Sequence, residues 1–285
     1  MILALRIARL VFHLLSGMAI CALFFPWIDR EAREIHIRRW SRHLLGICNV
    51  HVQITGGSAA PRAQALVVAN HVSWLDIFVL NALYPCRFVA KAEIRAWPLA
   101  GWLVEQAGTV FIARGNRRDL RRAFEGLVTA LKTGERVAFF PEGTTAPQGT
   151  LLPFHANLFE AAVDAKSRVQ PYAIRYIDHE RKPHPAVEFI GDMTFVQSVL
   201  AILSGKAIHA RVTILRSMKS EGVGRRDLAE RSYQAIREAL KIPAPPGAEP
   251  GPDASPDAGP DADPDTGHDA AEAERKPVTG SDWQK

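Results

Sequence analysis

Apolar residues fall into three regimes along the 285-residue chain. From Leu10 to Ile28 the sequence LVFHLLSGMAICALFFPWI runs for 19 residues without a formal charge, close to the roughly 20 apolar residues that cross a bilayer core. From residue 48 to residue 242 short β-branched runs alternate with stretches of helical period. Beyond Pro243 large apolar residues nearly vanish, and prolines recur at every fourth position through PDASPDAGPDADPD, from Pro252 to Asp265.

The first regime predicts a membrane helix. The run is long, and no small-x-small cleavage site follows it, so an uncleaved anchor fits better than a signal peptide. Pro26 permits a bend, which makes a monotopic or re-entrant attachment an alternative to a full span. Residues 31–47 place Ile35, Ile37, Trp40, Leu44 and Leu45 at helical apolar positions among arginines, the pattern of a helix lying on an anionic membrane surface. Arg6 and Arg9 precede the run, whereas Arg30, Arg33, Arg38, Arg39 and Arg42 follow it. That excess places the body on the cytoplasmic side of the inner membrane.

In the second regime the pattern predicts strands at His51–Thr55, Ala65–Ala69, Arg87–Ala90, Thr109–Ile112, Arg136–Phe139, Val169–Arg175, Val187–Ile190 and Ala210–Leu215. Helices are predicted at Trp74–Leu83, Arg117–Lys132, Asn157–Lys166, Phe195–Leu203 and Arg225–Lys241. The alternation predicts one α/β domain over residues 48–242, a mixed sheet flanked by helices, preceded by the membrane segment at 1–47. Residues 243–285 are too poor in large apolar side chains to offset their ordering entropy, which predicts a disordered tail.

Charge sharpens this picture. The formal net charge of +5 conceals a tail of −7, which leaves +12 on residues 1–243. A body that basic favours anionic partners: lipid head groups, nucleic acid, acidic carrier proteins or phosphorylated substrates. No helix-turn-helix, zinc finger or RNA-binding aromatic motif is present, so nucleic acid is not expected. Cys21, Cys48 and Cys86 are scattered and odd in number, as expected of free thiols in a reducing compartment.

Three segments carry candidate chemistry. In Ala69-Asn70-His71-Val72-Ser73-Trp74-Leu75-Asp76 a buried strand runs into a polar turn and then an apolar helix. His71 would sit at the strand's C-terminal end, where open α/β sheets bind ligands. Ser73-x-x-Asp76 has helix-cap spacing, so a helix starting at Ser73 would let Asp76 reach back to His71. On a continuous helix the two would lie on different faces. A base oriented by a carboxylate and a simple cap are both compatible with this spacing. In Phe139-Phe140-Pro141-Glu142-Gly143-Thr144-Thr145 a second strand ends in a turn able to hold an anion or a polar head group. The third segment, KAEIRAWPLAGWLVEQAGTVFIAR from Lys91 to Arg114, mixes tryptophans with cations at its ends. Arg117, Arg118, Arg121 and Arg122 then line one helix face. Neither a Gly-x-Ser-x-Gly elbow nor a His-Glu-x-x-His motif occurs.

In order, these segments resemble the glycerolipid acyltransferase family, in particular the 1-acylglycerol-3-phosphate acyltransferases. The resemblance rests on Asn70-His71-x-Ser73-x-x-Asp76, Lys91-x-Glu93 with Pro98, Gly101 and Gly108, Phe111-Ile112-x-Arg114, Phe140-Pro141-Glu142-Gly143-Thr144 and Val169-x-Pro171, across residues 65–175. It implies that His71 is the general base for the acceptor hydroxyl and Asp76 its orienting partner. It also implies that Arg114, Glu142, Gly143 and Thr144 hold the acceptor head group. The co-substrate would be acyl-CoA or acyl-carrier protein, the acceptor a membrane lysolipid such as lysophosphatidic acid, and no metal or tightly bound cofactor would be needed. Phosphatidic-acid-forming members commonly have Arg or Ser where this chain has Thr145, which removes a candidate bidentate phosphate ligand. PEGTT followed by LLPFH is similar to relatives that acylate lyso-ornithine lipid, the alternative acceptor.

Overall fold

The structure, a computed structural model, describes residues 2–55, 64–92, 95, 100–112 and 117–243. The expected tail, Arg114, Glu93 and Pro98 lie outside the described residues. Seven strands form one sheet: β1 (Val50–Thr55), β2 (Ala65–Ala69), β3 (Arg87–Lys91), β4 (Val110–Ile112), β5 (Arg136–Phe139), β6 (Arg168–Ile177) and β7 (Ile208–Ile214). Their order is β1-β7-β6-β2-β5-β3-β4, parallel throughout except at β6–β7. The sheet is therefore mixed, as the alternation predicts.

Strand β2 lies between β5 and β6, and all five of its residues are buried. Its period-2 alternation divides the core between two faces. Val67 and Ala69 share a cluster with residues of α2 (Arg30–Ile47), α3 (Leu75–Leu83) and α7 (Phe195–Ser204). Leu66 and Val68 pack with α5 (Arg117–Lys132), α6 (Glu160–Asp164) and α8 (Arg225–Leu240) on the other face. The same alternation puts Phe88, Ala138, Tyr172, Ile174 and Tyr176 on the α3 face.

Most elements match expectation within a few residues, with four corrections. The expected strand at Val187–Ile190 does not form: Pro185–Val187 is a 3₁₀ turn capped by His184. Phe189 instead lies against the turn after β2, donating its N–H to the Val72 carbonyl at 3.3 Å. The expected helix Asn157–Lys166 is a 3₁₀ turn, Asn157–Phe159, followed by the short α6. Within the Trp-rich segment a helix that the pattern did not predict, α4, spans Ala100–Gln106. The apolar run begins earlier as a helix and ends earlier: α1 covers Ile2–Leu23, and the chain turns near Pro26 before α2.

Helix α1 is long and apolar enough to cross a membrane by length and composition. It also lies against the body along one stripe. Leu3, Ile7 and Leu10 pack on the core of the α3 face. Arg6 donates to the carbonyls of Leu203 (2.7 Å) and Gly205 (3.2 Å), satisfying the C-terminal end of α7. That pairing explains why a charged residue sits inside α1. His13 stacks on Trp40 of α2 with ring centroids 4.5 Å apart, and Trp40 donates its indole N–H to the His13 carbonyl at 3.2 Å. A Cβ at Gly17 would come within 2.4 Å of Trp40 Nε1, so only glycine permits this approach. Ile2, Leu5, Phe12 and Leu15 remain exposed.

Candidate active site

The site forms where β2 ends. After Ala69, which pairs with Tyr172, the backbone leaves the ladder. The buried Asn70 side chain makes the next two contacts with β6, donating Nδ2–H to the Ile174 carbonyl (3.0 Å) and accepting from the Ile174 N–H (2.7 Å). Residues 70–73 are irregular, and α3 opens at Leu75 rather than at Ser73. This is the chain break that a His71–Asp76 contact requires.

The contact is made. Asp76 lies in the first turn of α3, fully buried, and its Oδ2 is 2.8 Å from His71 Nδ1. The same oxygen accepts the N–H groups of Val72 (2.8 Å) and Ser73 (2.9 Å). Asp76 thus satisfies the turn before the helix, whereas the Ser73 hydroxyl makes only a 3.4 Å contact with the Leu75 N–H. The cap and the His partner are one carboxylate. A carboxylate oxygen facing two backbone donors can only accept, so Nδ1 carries the imidazole proton.

A fourth bond reaches Asp76 from β6. The Tyr176 hydroxyl donates to Oδ1 at 2.6 Å. Tyr176 is wholly buried, and burial, reinforced by the neighbouring Asp76 charge, pushes its phenol well above the usual range, so it remains a donor. The expected strand stopped at Arg175, one residue short. The signal that finds Tyr176 is the alternation Tyr172, Ile174, Tyr176 carried onward from the Val169-x-Pro171 motif.

Strand β5 supplies the other wall. Phe140 stacks on the His71 ring, with centroids 3.9 Å apart and planes 7° from parallel. Glu142, 4% exposed, accepts the His71 N–H through Oε1 (2.7 Å) and the Leu152 N–H through Oε2 (2.9 Å). Burial pushes its carboxyl up to about 7, partly offset by these two N–H groups and by the His71 side chain. Gly143 turns with φ +69° beside His155, and both it and Thr144 are exposed. Thr145 donates its hydroxyl to the Phe189 carbonyl, tying the turn to the segment expected as a strand. The His71 carbonyl accepts the Ala146 N–H at 2.8 Å. His71, Asp76, Glu142, Gly143 and Thr144 therefore gather at the ends of two neighbouring parallel strands.

An apolar cavity of about 290 Å³ opens on the α3 face, lined by Leu14, Trp40, Trp74, Phe78, Phe88 and Leu103 among others. Phe88 also stacks on Phe140, so the cavity wall and the imidazole share one row of rings. The Trp74 indole donates to Ser198 Oγ at 3.1 Å, fixing the site turn to α7.

Comparison with known proteins identifies the family. The family model described as Acyltransferase matches residues 51–175. A lyso-ornithine lipid O-acyltransferase of Pseudomonas aeruginosa is 39% identical over 244 residues, covering 84% of this chain and 93% of that protein. A 1-acyl-sn-glycerol-3-phosphate acyltransferase of Neisseria meningitidis serogroup B is 36% identical over 215 residues, covering 74% of this chain and 82% of that protein. The crystal structure of a 1-acyl-sn-glycerophosphate acyltransferase from Thermotoga maritima shares the fold, with a TM-score of 0.57 at 21% identity over 83% of this chain and 96% of that one. The chain belongs to the glycerolipid (lysophospholipid) acyltransferase family and is an enzyme that transfers acyl groups.

Proposed function

We propose that the enzyme acylates the free hydroxyl of a membrane lysolipid, with His71 as general base and Asp76 as its orienting partner. The observation that carries this reading is the 2.8 Å Nδ1–Oδ2 contact beside an apolar cavity. With Nδ1–H committed to Asp76, Nε2 is the nitrogen that takes the acceptor's hydroxyl proton. The acceptor oxygen attacks the thioester carbonyl of acyl-CoA or acyl-carrier protein. The new C–O bond forms, the C–S bond breaks, and the departing thiolate takes the proton back from the imidazolium. Such a base contributes roughly 10²–10⁴ in rate. In this reading Glu142 acts by holding the His71 backbone, Gly143 and Thr144 face the acceptor, and Arg114 belongs to the same head-group site. The reaction needs no metal or tightly bound cofactor.

For the acceptor, lyso-ornithine lipid is the first reading. Thr145 offers no guanidinium for a phosphate, and its hydroxyl is already committed to Phe189. The Pseudomonas relative also matches more of the chain than the Neisseria one. Lysophosphatidate, giving phosphatidic acid, is the second reading, favoured by the Neisseria relative's name. For attachment, we place α1 in one leaflet rather than across the bilayer, because Arg6 and Gly17, about 16 Å apart along the helix axis, both lie against the body. The arginines of α2 then meet anionic lipid on the cytoplasmic face.

The test is purified enzyme with labelled acyl-CoA or acyl-carrier protein and a panel of lysolipids. The expected product is labelled ornithine lipid. Transfer to lysophosphatidate alone reassigns the acceptor. Free fatty acid released without acceptor, as fast as transfer, refutes acyl transfer altogether.

A further inference from the structure

We propose that Tyr176 is a positioning residue for acyl transfer: its phenol fixes the Asp76 carboxylate in the one orientation that presents Oδ2 to His71. The proposal rests on the reading of His71 and Asp76 as the reacting pair.

The argument starts from the torsion of an aspartate side chain. Rotation about its last bond is broad and a half-turn exchanges two equivalent oxygens, so covalent geometry does not set the plane in which they lie. The partners must set it. Three donors converge on Oδ2: the His71 imidazole and the Val72 and Ser73 N–H groups. These come from one short irregular turn, whose own conformation depends on Asp76. The phenol comes from elsewhere in the chain, 100 residues away. Its backbone is fixed independently, because the Tyr176 N–H donates to Gln148 Oε1 (2.8 Å), its carbonyl accepts the His184 N–H (3.1 Å), and it pairs with Ala210 across β6–β7. The sheet therefore sets where Oδ1 must lie, and that sets where Oδ2 points. The Tyr172 hydroxyl, earlier on the same face of β6, is buried without a hydrogen-bond partner among the described residues, whereas that of Tyr176 has Oδ1 of the carboxylate that orients the base.

The test compares the full-length wild-type enzyme with Tyr176→Phe, using the acceptor that the wild type acylates. The expected result is a fall in kcat of about tenfold with KM for both substrates unchanged, because the phenol touches neither. Proton NMR is expected to show a hydrogen-bonded His71 Nδ1–H resonance in the wild type that shifts in Tyr176→Phe and is lost in Asp76→Asn. In the Asp76→Asn background, Tyr176→Phe should cause no further loss. An unchanged kcat, an unmoved resonance, or a full additional loss in the Asp76→Asn background would overturn the proposal. Should Tyr176→Phe fail to fold, fluorotyrosine at position 176 keeps the shape and the bond but strengthens the donor, and the resonance must then move. A wild type without acyl transfer would sink the functional reading, whereas an active wild type with an indifferent Tyr176→Phe sinks only this one.

Discussion

Glu142 is placed so that its ionisation works against stability while serving the site. Its carboxyl is raised from an ordinary 4.5 to about 7, with burial as the main cause. The folded protein therefore holds this proton more tightly than the unfolded chain. Below pH 4.5 both states keep it and the contribution to stability is complete. As pH rises toward 7 the unfolded chain releases the proton first, so stability is lost across that window. At 1.36 kcal/mol per unit the loss is about 3 kcal/mol. Glu142→Gln does not titrate and lacks this loss. Denaturant unfolding of both proteins at a series of pH values isolates the effect, since groups that do not interact with Glu142 cancel in the difference and its charged neighbours are His71 and Asp76. The wild type should lose about 3 kcal/mol relative to Glu142→Gln between pH 4.5 and 7. A difference that stays flat, or that moves in the wild type's favour, refutes the assignment. Activity should run the other way. The ionised carboxylate accepts two backbone N–H groups, whereas an amide must turn its NH₂ toward one of them. A lost bond to a charged group is worth about 1.5–3 kcal/mol. If it loosens His71, kcat of Glu142→Gln falls by about 10- to 100-fold.

His71→Ala and Asp76→Ala should each reduce transfer by roughly 10²–10⁴ without changing membrane fractionation; near-normal turnover of a folded His71→Ala protein defeats the mechanism. Thr145→Arg should raise kcat/KM for lysophosphatidate relative to lyso-ornithine lipid in the same acceptor panel, by adding a bidentate phosphate ligand. An unchanged ratio would show that position 145 does not set the preference. Gly17→Ala should lower thermal stability by about 1–3 kcal/mol, because the new methyl meets an indole already held by His13. An unaltered melting temperature would mean that α1 does not dock on α2 as described.

The sheet was legible because its central strands are short, continuous apolar runs such as ALVVA, bounded by turn residues, as strands buried on both faces are. Val187–Ile190 carries the same composition, yet its backbone groups are used by the site turn at Val72 and Thr145 instead of a strand. No local pattern reports that kind of long-range commitment. The start of α1 is not legible because Arg6 and Arg9 read together as a boundary, and nothing local shows that Arg6 has its partners at the end of α7. At the site, the motif order marked His71 and Asp76, and the backbone break between them follows from Ser73-Trp74. The motif also marked Glu142 but not its bonds, since a carboxylate turned toward main-chain donors looks the same in sequence as one facing a ligand. Tyr176 escaped because it lies 100 residues from its partner and just past the expected end of its strand.

Asn70 has a further consequence. Its side chain offers β6 one donor and one acceptor with the spacing of a peptide unit, so it serves as a counterfeit residue of the sheet. The genuine peptide groups of His71 are thereby excused from the ladder, and they go to Glu142 and Ala146. The base is held by as many fixed points as a strand residue, yet its ring is not confined to the alternating directions a strand would impose. Stiffness has been separated from straightness.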